Sequence, residues 1–333
     1  MSDSRAVLAE LLEQAGLPEP ATVEVLTGRG FTDEVSVVGL PGTKPVVLRR
    51  WAEARELEFS RACFLADHAV PAPRLLAASR WGTLVEFVGG RLLGDLIEDA
   101  QDSATAWRAV GAAYRRVHDV GFPSGLAGRL GPDALVLRPV DPVAGLHELL
   151  ENATAGLHRR LPEALVHLDA LHGFVDRCAP SLRAAATALL HGDVNMWNVL
   201  VDTGRAVLID WDLPEVGDPA MEIALLDKHA HLFNGTGLPD AFFEGYGPSA
   251  EPNTALHRIV QTIQWVASDD WDGFASEAAL PTALRTRAQG WLDMLQQYLR
   301  ALPEHLDRLS GLIEAEGSPG LLRGGPPEAR QGR

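Results

Sequence analysis

Lysine is almost missing from this 333-residue chain: of 29 basic residues only Lys44 and Lys228 are lysines. Any cationic clamp for a phosphate or carboxylate must therefore use one of those two, or arginine. Cysteine is as scarce. Cys63 and Cys178 stand far apart within apolar helical patterns, which suits buried reduced thiols and argues against a disulfide framework or a metal knuckle. No apolar run reaches the roughly 18 residues of a spanning helix. The opening Met-Ser-Asp-Ser-Arg also lacks a secretory apolar core, so a cytoplasmic setting with no membrane partner is expected. Basic charge is short as well: 45 acids face 29 bases, for a net charge of -16, and no basic stripe is visible. A nucleic-acid partner is thereby disfavoured.

Apolar residues are plentiful, at 46% of the chain, enough to bury one large domain or two lobes. The spacing of Val7, Leu8, Leu11 and Leu12 predicts a helix over 4–15, stopped by Gly16 and Pro18. β-branched runs at 23–26, 35–38 and 46–48, punctuated by Gly28, Gly30 and Pro41-Gly42, read as an antiparallel meander. A helix at 53–68 and strands near 74–79 and 83–88 complete a five-stranded sheet with one inserted helix. After Gly89-Gly90 the pattern turns to amphipathic helices, about 103–119, 141–157, 162–188, 219–231, 252–267 and 279–315. There only 199–201 and 206–209 read as strands, joined by the turn Asp202-Thr203-Gly204-Arg205. The expected division is an N-terminal lobe over 1–88, a helical lobe over 89–316 and a disordered Gly/Pro-rich tail over 317–333.

The chemistry is concentrated in His191-Gly192-Asp193-Val194-Asn195-Met196-Trp197-Asn198 and in the run Ala206 to Ile209, which ends in Asp210-Trp211-Asp212. Asp193, in a loop before a strand, is placed to take the proton of an attacking hydroxyl. Asn198 and Asp210 offer one neutral and one charged oxygen to Mg²⁺. A single aspartate at a hairpin end is commonplace. Three such groups in this order and spacing point to phosphoryl transfer.

These motifs resemble the aminoglycoside phosphotransferase family, the small-molecule branch of the protein-kinase-like fold. The resemblance is dense over 191–222 and looser over 23–90. It implies an α+β two-lobe fold, with a small antiparallel-sheet N-lobe, a larger helical C-lobe and ATP or GTP bound at the hinge. Carried over by position, Arg49 at the end of the third strand replaces the family's phosphate-binding lysine, and its fork can grip phosphate bidentately. Glu58 on the next helix is its implied partner, with Glu56 as the alternative; on a helix the two point about 200° apart. Gly30 and Thr32 fall in the phosphate-covering turn, although Gly28-Arg29-Gly30-Phe31-Thr32-Asp33 lacks a full GxGxxG and ends in Asp33 where the family has Asn. The Glu86 carbonyl and Val88 amide are the hinge groups for the nucleotide base. His191 is implied to orient the loop, while Asp218 and Glu222 anchor it, Glu222 standing where the family has Asp.

For the acceptor, Asp269, Asp270 and Asp272 around Trp271, together with Asn195, Asp212 and Glu215, suggest an acidic rim beside the catalytic loop. The expected acceptor is then a hydroxylated, cationic small molecule, an aminoglycoside-like or other antibiotic. A metabolic kinase for a sugar, aminosugar, choline-like alcohol or amino alcohol is the alternative. A non-catalytic kinase-like binding protein ranks behind both, because Asp193, Asn198 and Asp210 are all intact.

Overall fold

The computed structural model describes residues 4–26, 34–129, 135–272 and 282–316, without the side chains of 57, 58 and 282–285. The glycine-rich turn with Gly30 and Thr32, the Glu58 side chain and the tail at 317–333 lie outside the described residues. The N-terminal part is a five-stranded antiparallel sheet: β1 (Thr22–Val25), β2 (Glu34–Gly39), β3 (Val46–Arg50), β4 (Leu75–Ser79) and β5 (Gly82–Glu86), in the order β1-β2-β3-β5-β4. Helix α1 (Ser4–Gln14) lays Val7, Leu8, Leu11 and Leu12 on Val38, Val46, Leu48 and Leu84 of that sheet. Because strand side chains alternate, burying Val46 and Leu48 under α1 turns Arg49 to the opposite face. Arg50 shares the covered face and pairs with Glu34 at 3.0 Å. Helix α2 (Glu56–Asp67) lies between β3 and β4.

The chain leaves the sheet through Gly89-Gly90. Gly90 has φ of +96°, and a Cβ there would lie 2.2 Å from the Val201 carbonyl, so only glycine lets the connection run so close to the catalytic hairpin. Beyond it come β6 (Arg91–Leu92), α3 (Leu93–Glu98), α4 (Ala104–His118), β7 (Gly121–Phe122), β8 (Leu126–Arg129), β9 (Arg138–Pro139), α5 (Pro142–Arg160) and α6 (Leu168–Ala184). Then follow β10 (Thr187–Leu190), β11 (Val199–Asp202), β12 (Arg205–Leu208), β13 (Glu215–Gly217), α7 (Pro219–Asn234), α8 (Asp240–Tyr246), α9 (Glu251–Ala267) and the helices Thr282–Arg300 and Leu302–Glu316. One apolar core joins α5, α6, α9 and the last two helices; another joins α4, α7 and α8 to the catalytic hairpin.

Several expected elements are corrected here. The helix expected over 162–188 ends at Ala184, and Thr187–Leu190 is a strand. All four of its residues are buried, so neither side shows the alternation that marks a strand. It lies between β7 and β13 in a second sheet, β7-β10-β13-β8-β9, and β6 adds to the β11-β12 hairpin. The long C-terminal helix is two, because Pro303 lacks the N–H a continuous helix would require and suits a first turn instead. Of the two free cysteines, Cys178 is buried and Cys63 only half-buried.

Candidate active site

The catalytic loop is held by its own histidine. His191 is fully buried; its Nε2 donates to the Ile209 carbonyl at 2.9 Å, and its Nδ1 accepts from the Asp193 amide at 3.3 Å. Both nitrogens are therefore engaged in one tautomer, and the ring packs on Trp211 with centroids 4.5 Å apart. That is the geometry of an orienting group. Gly192 has φ of +79°, and a Cβ there would lie 1.7 Å from the Leu213 carbonyl, so the glycine before Asp193 is sterically required.

Asn198 follows on the one-turn helix Met196–Asn198, whose start is capped by Asn195: the Asn195 Oδ1 accepts from the Trp197 amide at 2.8 Å. The Asn198 Nδ2 donates to both the carbonyl and the Oδ2 of Asp193, each at 3.0 Å. This turns its amide oxygen away from Asp193. β11 and β12 pair in register from Val199↔Leu208 to Asp202↔Arg205, which brings Asn198 beside the end of β12. There Ile209 donates its amide to the Asn198 carbonyl at 2.9 Å.

Asp210 comes next, with φ of +62°. A non-glycine residue in this left-handed region carries roughly 1–2 kcal/mol of strain, and such residues gather at functional sites. Burial raises its carboxyl above the ordinary aspartate value, neighbouring Asp212 and Asp193 add to the effect, and Arg49 opposes it. The Arg49 Nη2 lies 2.7 Å from Asp212 and 3.4 Å from Asp210. The strand parity of β3 thus delivers Arg49 to Asp210 and Asp212.

Arg61, absent from the expected site, joins them. It is buried on α2, donates to the Trp211 carbonyl at 2.6 Å and lies 3.4 Å from Asp212. An arginine one helical turn before the core residue Leu65 was the available signal. On the same helix Glu56 points to Arg80, 3.8 Å away. The Glu86 carboxylate accepts from the Arg74 amide at 3.2 Å and pairs with Arg205 at 3.4 Å, bracing the end of β5 against the β11–β12 hairpin. Val88 is partly buried just beyond.

The expected acidic rim is not assembled as a free surface. Asp269 pairs with Arg159 and Arg160, and Asp272 lies 2.7 Å from Arg160, at the end of α5. Asp270 accepts from the Ser268 hydroxyl at 2.7 Å, and Trp271 is buried in the helical core with its indole N–H on the Trp265 carbonyl. Glu215 pairs with Arg129 at 3.0 Å. The carboxylates were legible as residues, but their arginine partners, 110 positions away in the case of Asp269 and Arg159, were not.

A strand-rich N-terminal part, a helical remainder and a loop carboxylate facing an Asn–Asp pair define the kinase-like fold of the small-molecule phosphotransferases. The sequence model of the phosphotransferase enzyme family matches residues 27–260, and the chain belongs to that family. Streptomycin 3''-kinase of Streptomyces griseus is 29% identical over 222 residues, which cover 60% of this chain and 76% of that kinase. Among solved structures, choline kinase from Cryptosporidium parvum superposes with a TM-score of 0.58 at 12% identity, covering 94% of this chain and all of that one. The ADP-bound aminoglycoside phosphotransferase APH(2'')-Ib does so with a TM-score of 0.51 at 14% identity, covering 88% and 98%. At such identities the structures speak for the fold alone. The protein is a small-molecule kinase, a phosphotransferase with a nucleotide as co-substrate.

Proposed function

We propose that Asp193, Asn198 and Asp210 carry transfer of the γ-phosphoryl group of ATP or GTP to a hydroxyl of a small, polar, amino-bearing acceptor of the aminoglycoside type, which would make the protein an antibiotic-modifying kinase. The trio itself carries the reaction. Asp193, steadied by Asn198 at 3.0 Å, accepts the hydroxyl proton. Asn198, with its amide oxygen turned outward, and Asp210 would hold Mg²⁺. The fit is supported by Asp210, a carboxylate raised by burial and by Asp212 and Asp193, whose excess negative charge suits a divalent cation. Bound there, Mg²⁺ would neutralise charge on the phosphoryl oxygens.

Arg49 is the phosphate clamp, kept at the site by Asp212. Glu58 is its proposed partner, Gly30 and Thr32 cover the phosphates, and the Glu86 carbonyl and Val88 amide take the base. In this reading residues 1–88 form the nucleotide-covering lobe, and 89–316 carry the catalytic loop, metal site and acceptor pocket. No helix among the described residues is long and apolar enough to cross a membrane, in keeping with a proposed cytoplasmic setting.

The acceptor class rests on likeness to streptomycin 3''-kinase. The pairing of Asp269 and Asp272 with arginines weakens the charge argument for a cationic acceptor and favours, as a second reading, a metabolic kinase for an uncharged sugar. Incubation with Mg²⁺, ATP or GTP and a panel of streptomycin, other aminoglycosides, choline, ethanolamine and aminosugars tests this by mass spectrometry. A gain of one phosphate on an aminoglycoside is expected. Efficient turnover confined to a central metabolite would overturn the antibiotic reading.

A further inference from the structure

Behind the catalytic loop lies a buried polar chain that the reaction, as described, does not use. The Gly192 amide donates to the Glu222 Oε1 at 2.9 Å. The other oxygen, Oε2, lies 2.9 Å from the Nε2 of His118, and the Nδ1 of His118 lies 2.8 Å from the Tyr246 hydroxyl. Glu222, His118 and Tyr246 are 1%, 8% and 5% exposed, so the whole chain is withdrawn from bulk solvent. One assignment satisfies every group: Tyr246 donates to Nδ1, Nε2–H donates to Glu222, and Glu222 accepts from both sides.

The three side chains come from three helices. Glu222 lies in the first turn of α7, His118 ends α4, and Tyr246 ends α8. The α4–α8 spacing is set by glycine: a Cβ on Gly111 would lie 2.1 Å from the Phe242 carbonyl, and one on Gly245 would lie 2.0 Å from the Arg108 carbonyl. That close crossing brings Tyr246 to His118. Burial alone would raise the Glu222 carboxyl, yet hydrogen bonds from His118 and from the Gly192 amide hold it below the ordinary glutamate value.

We propose that His118 is a positioning residue for phosphoryl transfer, acting through Glu222 on the Gly192 amide and so on the direction in which Asp193 faces, with Tyr246 fixing His118 in turn. The inference rests on the reading of Asp193 as the base. The backbone at Gly192 packs so closely under the Leu213 carbonyl that a Cβ would lie 1.7 Å from it, and the Glu222 anchor on its amide fixes the position from which the next residue departs. The two oxygens of Glu222 span the loop amide and the imidazole, so one carboxylate links the two. A carboxylate left without His118 would be a buried, half-satisfied anion pulling on the loop.

The test is His118→Phe, which keeps a ring and removes both hydrogen bonds, with His118→Gln as a rescue that restores a donor to Glu222. ADP release from ATP and Mg²⁺ is followed with streptomycin present and with water as the only acceptor, and nucleotide affinity is measured separately. Displacement of a catalytic group by about 1 Å can lower kcat by about a hundredfold. The expected result for His118→Phe is a loss approaching that size with nucleotide Kd within about threefold of wild type and substantial recovery in His118→Gln. A folded His118→Phe that keeps kcat within twofold, or loses nucleotide affinity in the same proportion as kcat, would overturn the proposal. Should His118→Phe fail to fold, Tyr246→Phe decides: a severalfold fall in kcat with Kd unchanged supports it, and an unchanged kcat overturns it. Asp193→Ala, run alongside, separates the two claims, since an active Asp193→Ala defeats the base assignment whatever His118 does.

Discussion

Two acidic clusters, Asp193 with Asp210 and Asp212 at the catalytic hairpin and Asp269 with Asp270 and Asp272 after α9, look alike in sequence and differ in what the fold supplies around them. The second is met by Arg159 and Arg160, exposed at its edge, and pinned by a buried Trp271. Its charge is answered locally. At the first, Arg49 and Arg61 are both drawn to Asp212, and Asp210 keeps a raised carboxyl on a strained backbone. Carboxylates become a cation site where neighbouring cations are too few and held by other groups. Acidic residues in a surface turn, with arginines within reach, become ion pairs.

That contrast can be broken from several directions. Asp210→Asn should have the largest effect, about a thousandfold loss of turnover, the scale of several kcal/mol of metal charge stabilisation. The same variant should melt at a higher temperature than wild type when no divalent cation is present. The sign follows from the raised carboxyl: the folded state favours the uncharged form, so ionisation above that value works against folding, and Asn removes it. A lower melting temperature would show that Arg49 already balances Asp210. In wild type, Mg²⁺ affinity should fall on the acid side at a pH above the ordinary aspartate value of about 3.9, because the metal-free Asp210 carboxyl is raised and protons compete for it.

A smaller effect is expected from Arg61→Met, which removes a charged donor from the Trp211 carbonyl. Urea unfolding should report a loss of about 2 kcal/mol, with lower activity because Asp212 and Arg49 lose a neighbour. An unchanged midpoint would mean that Arg61 is incidental to the hairpin. Smallest of all, Asp269→Asn, which leaves Asp272 on Arg160, should shift stability by less than about 1 kcal/mol, as exposed ion pairs such as Arg159–Asp269 do, and leave kcat/KM for the accepted substrate within twofold. A tenfold rise in KM there would restore the acidic patch to the acceptor site and end the contrast.

The order of a strand-rich and then a helical part was legible because β2, β3 and α1 each bury one face and show their period plainly. β10 was not, since a strand buried on both sides carries no alternation, and β6, β7, β9 and β13 are too short to carry any. At the site, His191, Asp193, Asn198 and Asp210 could be read because chemistry fixes their spacing within one hairpin. Arg61 and the His118–Glu222–Tyr246 chain could not, because their contacts join residues 104 to 151 positions apart. The arginine partners of the acidic rim were hidden for the same reason: a carboxylate's partner is a property of the fold.

The central claim is tested most directly by Asp193→Ala, with kcat and nucleotide Kd measured on one preparation. General-base removal lowers turnover by about a hundredfold to ten-thousandfold. A loss in that range with nucleotide Kd unchanged is expected, because Arg49 is held by Asp212 and not by the Asp193 carboxylate. Phosphotransfer at the wild-type rate, or a collapse of nucleotide binding that accounts for the lost rate, would contradict the assignment of Asp193 as the group that receives the acceptor's proton.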